Sequence, residues 1–211
     1  MKISKGQVEE GIVVGNNFDK YGSVNPLVRL IMRGFHDALD ELSKKVVPTS
    51  IHEVGCGEGY WALRWVAEGI DVRGSDFSVK VIEIAKLNAK AQGVNPQIFS
   101  SKSIYDLRTE RDAADLVVCC EVLEHLEDPR AALKVLREIS KPYVILSVPR
   151  EPIWCGLNMA RGKYVRGLGN TPGHIQHWNS RAFVRLVSEY FDVLEVRKPL
   201  PWTMLLARTR K

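Results

Sequence analysis

A chain of 211 residues (23.8 kDa), 45% hydrophobic and 26% charged, has the size and composition of one globular domain rather than a disordered chain. It has no apolar run of the ~18 residues a membrane span needs; near its start it lacks the apolar stretch of a secretory signal, and its four cysteines (Cys56, Cys119, Cys120, Cys155) show no CxxC spacing, so a cytoplasmic protein with reduced thiols is expected, not a disulfide scaffold or a zinc ribbon. The net charge of +5 is uneven: residues 150–211 carry 11 basic and 4 acidic side chains, which points to an anionic ligand or nucleic acid on that side, or to a merely solvated basic surface.

In chain order, Gly15–Asn25 reads as a loop or lid, and apolar residues at Leu27, Leu30, Ile31, Phe35, Ala38, Leu39 and Leu42 predict a helix over Pro26–Val46, closed by Pro48. From residue 51 the period switches. Ile51–Val54 reads as a strand ending in glycines, Tyr60–Glu68 as a helix, and Asp71–Ser75 as a second strand. Ser78–Gln92 is a second helix with Ser78 as its N-cap, and Gln97–Phe99 a weak third strand. Asp115–Cys120 is a compact apolar strand of the kind buried on both faces. A helical stretch is expected over 121–140, interrupted at Pro129, then a fifth strand at Tyr143–Val148. Strands alternating with helices at this spacing predict an α/β fold with an open parallel sheet. Residues 150–178 have no convincing period and read as a lid insertion. A helix over Ser180–Tyr190 follows, then two runs, Val193–Arg197 and Thr203–Arg208, spaced to pair as an antiparallel hairpin. The expectation is a single domain over 1–211, with 1–47 an N-terminal loop and helix.

The segment Glu53-Val-Gly-Cys-Gly-Glu-Gly59 ends the first strand and opens the first crossover helix. Glycines at such a place let the backbone turn sharply beside a ligand. A dinucleotide fingerprint would need its third glycine at position 60, where Tyr60 stands, and no lysine occupies the P-loop position. Gly55-x-Gly57-x-Gly59 with an acid two residues earlier resembles motif I of the class I S-adenosylmethionine-dependent methyltransferases. Asp76, at the end of the second strand, and Asp115-Leu-Val-Val-Cys-Cys-Glu-Val-Leu-Glu-His-Leu-Glu-Asp-Pro129 extend the resemblance over roughly residues 48–210. It implies a Rossmann-like sheet of about seven mostly parallel strands with an antiparallel C-terminal hairpin and helices on both faces. It also implies S-adenosylmethionine as cofactor, converted to S-adenosylhomocysteine. The implied cofactor contacts are Glu53, Gly55, Cys56, Gly57, Asp76 on the ribose, Phe77 and Ile104 around the adenine, Ser103 at the adenine edge and Cys120. Ser103 stands where many members carry an acid. Arg29 is a candidate for the cofactor carboxylate, or a solvated helix charge.

For the acceptor side, His125 and His177 are the candidate catalytic residues, with His174 as the second choice to His177. On a helix, Glu121, Glu124 and His125 fall at i, i+3 and i+4, hence on one face. The pattern resembles the Glu-x-x-Glu-His of ubiquinone-biosynthesis O-methyltransferases and small-RNA 2′-O-methyltransferases, which implies an alternative in which the three hold Mg²⁺ or Mn²⁺ for methylation of a catechol-like or RNA hydroxyl. The metal-free site is the preferred reading. Trp154, Tyr164 and Trp178 with Arg150, Arg161, Lys163 and Arg166 make the insertion a lid suited to a small anionic acceptor. Single-stranded RNA fits the same mixture less well, because no RNA-binding module is present. A regulatory protein that kept the cofactor fold without chemistry is the rival from outside the enzymes.

Overall fold

The computed structural model describes residues 1–9, 12–15 and 20–210; of the expected loop at Gly15–Asn25, residues 16–19 lie outside the described residues. A short antiparallel ribbon, Gln7–Glu9 with Ile12–Val14, comes first and has no counterpart in the sequence reading. Helix α1 spans Pro26–Val46. Asn25 caps it by accepting the Leu27 and Val28 amides at 2.9 and 3.4 Å, and Pro26 sits where its missing N–H costs nothing. The chain then alternates through β1 (Ser50–Val54), α2 (Tyr60–Ala67), β2 (Asp71–Asp76), α3 (Val79–Ala91), β3 (Phe99–Ser101), the short α4 (Thr109–Asp112), β4 (Ala114–Cys120), α5 (Pro129–Ile139) and β5 (Ser140–Pro149). After α6 (Ile153–Ala160) and α7 (Ser180–Val187), β6 (Phe191–Arg197) and β7 (Trp202–Thr209) close the sheet.

The seven strands lie in the order β3-β2-β1-β4-β5-β7-β6. The first five are mutually parallel, and β7 runs antiparallel to both β5 and β6. This is the Rossmann-like arrangement with an antiparallel C-terminal hairpin that the sequence implies. Strand β1 pairs with β2 on one side and β4 on the other, so the chain order reverses there and a crevice opens at the strands' carboxyl ends. Side chains alternate between two cores. Leu116, Val118, Met204 and Leu206 pack with α1, α2 and α3, while Val117, Cys119, Leu205 and Ala207 pack with α5 and α7. Both faces are therefore dry, which is why β4 reads as an unbroken apolar run. Among the described residues no helix is long and apolar enough to cross a membrane.

Three local expectations need correction. The third strand lies two residues later than read, because Asn95 accepts the Gln97 amide at 3.0 Å and tightens Pro96–Ile98 into a 3-10 turn. Residues 121–128 are not the start of a long helix. Glu121 adopts φ 60, Leu123–His125 form one 3-10 turn, and α5 begins only at Pro129, capped by Asp128 on the Ala131 amide at 2.9 Å. Pro129 thus starts a helix instead of interrupting one. The insertion at 150–178 contains a real helix, α6, whose mixed face has little amphipathic signal. On α1, Leu27 and Leu30 are exposed, and the buried stripe begins at Met32.

Candidate functional site

The glycine loop is docked at its start by backbone groups. The amides of Gly55 and Cys56 both donate to the Ser75 carbonyl, at 2.7 and 3.0 Å, which ties the end of β1 to the end of β2. Gly55 has φ 76, and a Cβ there would overlap the Val122 side chain. Gly57 has φ 53 and open space on its side-chain face, room that a branched residue would take from a ligand. Its amide donates to one Asp76 oxygen at 3.1 Å, while the Ser78 amide donates to the other at 3.0 Å. Two fixed donors hold this carboxylate at the mouth of the crevice. Beneath the loop, Glu53 is buried and accepts the Ala62 amide at 2.9 Å. Burial pushes its carboxyl up to about 8, with Asp76 adding to the rise and Lys20 opposing it.

The other candidate cofactor contacts gather at the same strand ends. Phe77 follows Asp76 and is 46% exposed, an apolar ring left at the surface beside a buried strand. Ile104 is buried in the α5-side core. Ser103 spends part of its hydroxyl on the Tyr105 amide at 3.4 Å, as the cap of a 3-10 turn. Cys56 is buried and Cys120 half-buried; burial raises both thiols, so neither is a nucleophile at neutral pH.

On the acceptor side the structure redistributes the expected set. With φ 60, Glu121 turns its carboxylate back to Ser147 Oγ (2.9 Å) and Trp202 Nε1 (2.6 Å), both donating. Burial raises its carboxyl to about 7. Glu121, Glu124 and His125 therefore do not share a helix face, since the helix that would align them is absent. Glu124 is 1% exposed, and among the described residues neither of its carboxyl oxygens has a hydrogen-bond partner. Burial, then the Glu121 charge, pushes its carboxyl well above the usual range. His125 donates Nδ1–H to the Gly173 carbonyl at 2.9 Å, a bond that leaves Nε2 as a lone-pair donor. The ring nearest to it is His174, edge-on at 4.8 Å, not His177. One oxygen of Glu124 and one nitrogen each of His125 and His174 lie within 4.8 Å of one another. His174 is buried against Trp154 and stays neutral, its pKa brought down to about 3 by burial and by the two neighbouring histidines. His177 is exposed, with Nδ1 at 3.6 Å from Glu151. The expected preference for His177 over His174 is thus reversed in space.

The lid reaches this place by specific bonds. The Ile175 and Gln176 amides donate to the Glu124 carbonyl at 2.9 and 3.0 Å. Trp154 Nε1 and Asn158 Nδ2 both reach Thr171 Oγ1, at 2.9 and 3.1 Å. Two participants were missed by the sequence reading. Glu58, inside the glycine motif, is buried and accepts from the Ser4 amide (3.1 Å) and Ser4 Oγ (2.7 Å), so the N-terminal segment is strapped to the loop. Tyr21 stacks on Tyr60 at 3.8 Å beside Glu53. No local pattern marks either contact; an acid between two motif glycines was the one available hint.

Comparison with known proteins agrees with this fold. A family model described as a methyltransferase domain matches residues 28–196. A ubiquinone biosynthesis O-methyltransferase of Bordetella avium is 30% identical over 128 residues, 60% of this chain and 50% of that protein. The chain spans about half the length of the curated relatives it matches. Magnesium protoporphyrin IX methyltransferase from Synechocystis PCC 6803, solved with bound S-adenosylhomocysteine, superposes with a TM-score of 0.68 at 21% identity, covering 92% of this chain and 94% of that one. The N-methyltransferase NodS of Bradyrhizobium japonicum, also with S-adenosylhomocysteine, gives 0.65 at 17% identity over 92% and 94%. Oxygen and nitrogen acceptors are both represented among these names, so the fold alone does not select an acceptor.

Proposed function

The chain belongs to the methyltransferase-domain family, and on that premise we propose that it moves the S-methyl group of S-adenosylmethionine to a hydroxyl oxygen of a small acceptor under the lid, beside a divalent cation on Glu124, His125 and His174. The observation that carries the acceptor side is Glu124: a buried carboxylate with no partner on either oxygen among the described residues, next to two neutral imidazoles. An isolated buried charge is too costly to keep, so it either takes a proton or meets a cation. One carboxylate with two imidazoles suits Mn²⁺, Fe²⁺ or Zn²⁺ better than Mg²⁺, which prefers oxygen donors throughout. A cation there would acidify and orient an acceptor hydroxyl.

The remaining tasks fall to the protein's own groups. Asp76, already held by two amides, is oriented to accept the ribose hydroxyls; the open face of Gly57 lets the cofactor approach the backbone. Phe77 and Ile104 offer apolar flanks for the adenine, and Ser103 a hydroxyl at its edge. Methyl transfer is an in-line displacement: the acidified acceptor hydroxyl would give up its proton to solvent, its oxygen forms the new bond to the methyl carbon, and the S–CH3 bond breaks as the sulfonium becomes a thioether. Alignment is then the chief requirement, and Trp154 and His174 restrict water beside it. Arg161, Lys163 and Arg166 are exposed on the lid and favour an anionic acceptor.

Chelation tests the reading. Removing metal with EDTA should abolish turnover and Mn²⁺ should restore it. In the absence of substrate, saturating Mn²⁺ should raise the melting temperature of the wild type by about 5 °C or more and leave Glu124→Gln unmoved. Full turnover at negligible metal content would overturn the cation, leaving His125, whose Nε2 lone pair is free, as the candidate base.

A further inference from the structure

The rim of the crevice is apolar and carries charge of one sign only. Three segments meet there, at the carboxyl ends of the strands: residues 20–36 leading into and along α1, the lid at 152–180, and residues 198–204 at the turn into β7. Trp202 joins them, edge-on to Phe35 of α1 at 4.9 Å and 6.0 Å from Trp154 of α6. Together they hold seven lysines and arginines and no carboxylate, whereas the remainder of the chain holds 23 basic and 25 acidic side chains. Aliphatic side chains stand out from the same segments. Leu27 and Leu30, three apart on one face of α1, are exposed, as are Met159, Val165 and Leu168 of the lid, Leu168 to 76%. The lid tip is built, not loose. A 3-10 turn over Val165–Gly167 is closed by the Gly167 and Gly169 amides on the Tyr164 carbonyl, both at 2.9 Å, and tied to α6 by Asn158 Nδ2 on the Gly169 carbonyl at 2.9 Å. Tyr164 and Leu168 take left-handed φ, 55 and 51, which costs a non-glycine residue energy. The fold accepts that strain and keeps a leucine facing water, close to the exposed Lys163 and Arg166.

We propose that this rim is a docking surface for an anionic lipid bilayer. Val165 and Leu168 at the lid tip, with Leu27 and Leu30 of α1, enter the boundary between headgroups and acyl chains, while Lys163 and Arg166 reach the lipid phosphates. Charge complementarity selects this occupant. A second copy of the chain would set like charges face to face, and single-stranded nucleic acid would stack on exposed aromatic rings, whereas the exposed apolar groups here, Tyr164 apart, are aliphatic. Basic side chains alone would give a contact that salt screens away; the aliphatic tips add burial that salt does not screen. Docking needs neither cofactor nor cation, so it stands or falls independently of the methyl-transfer reading.

The test is co-sedimentation of the full chain with vesicles of equal parts phosphatidylglycerol and phosphatidylcholine at low salt, without cofactor or added metal. Binding at least about tenfold tighter than to phosphatidylcholine alone is expected. Val165→Ser with Leu168→Ser should weaken it about tenfold, and Leu27→Ser with Leu30→Ser similarly, with its salt dependence kept. Lys163→Gln with Arg166→Gln should weaken it about tenfold and flatten the salt dependence. All six side chains are exposed, so the variants should melt with the wild type. The proposal fails if the wild type stays in the supernatant, or if both serine variants sediment as the wild type does. It fails equally if a single-stranded oligouridylate binds the wild type and the serine variants alike and more tightly than the mixed vesicles do, which would make the rim a nucleic-acid surface. A lipid-free dimer that the serine substitutions dissolve would assign the rim to a second copy instead.

Discussion

The two halves of the crevice are built on opposite plans. On the glycine-loop side, Glu53 through Asp76 are near neighbours in sequence, and backbone amides of Gly57 and Ser78 satisfy the Asp76 carboxylate before any ligand arrives. On the acceptor side, Glu124 meets His174 from fifty residues further along, and its carboxylate has no donor among the described residues. The first half is finished by folding. The second is left incomplete, and its charge has to be neutralised by a proton or a cation. A site shared by many reactions needs only a constant cofactor seat; what varies is the half that a lid brings into place.

The comparison can be broken at its most rigid point first. Gly55→Ala combines a left-handed φ with overlap onto Val122 and should cost about 3 kcal/mol of stability. Gly57→Ala, with open space, should cost only about 1 kcal/mol. Denaturant midpoints measure both, and equal losses would mean that Val122 does not brace the loop. Next, Asp76→Ala should weaken S-adenosylhomocysteine by about 30- to 100-fold, the equivalent of two charge-assisted hydrogen bonds. Glu124→Gln should leave that affinity unchanged, and calorimetry on the pair tells whether the halves are separable.

A smaller effect is carried by pH. Glu53 has a folded pKa of about 8, above its unfolded value, so between those two values the folded state binds more protons than the unfolded one. Its contribution is fully present at low pH and is lost as pH rises towards 8. Metal-free protein should lose about 2 kcal/mol between pH 6 and 8 from this group. Glu53→Gln should flatten the profile; an unchanged slope would assign it to other buried acids. Smallest of all is His177→Ala. Its exposed ring and 3.6 Å approach to Glu151 predict turnover within about twofold of wild type, while His174→Ala should lower turnover tenfold or more. Equal losses would restore His177 to the site.

What the amino-acid order determined by itself was the alternating frame and the local turns of the cofactor side. The alternation of strands and helices, the N-cap at Ser78, and the glycine turn with Asp76 after the next strand all follow from local sterics, hydrogen bonding and a sheet dry on both faces. Tertiary structure decided which histidine meets Glu124. Helical spacing pointed to a Glu121–Glu124–His125 face, but β5 and β7 offer Ser147 and Trp202 as donors, which hold Glu121 in a left-handed turn and end any helix there. Between His174 and His177, three residues apart in an aperiodic lid, the choice rests on the stacking of His174 against Trp154 and on amides that bond to the Glu124 carbonyl. Such contacts join segments with no shared period, and their free energy exists only once the lid has closed on the sheet.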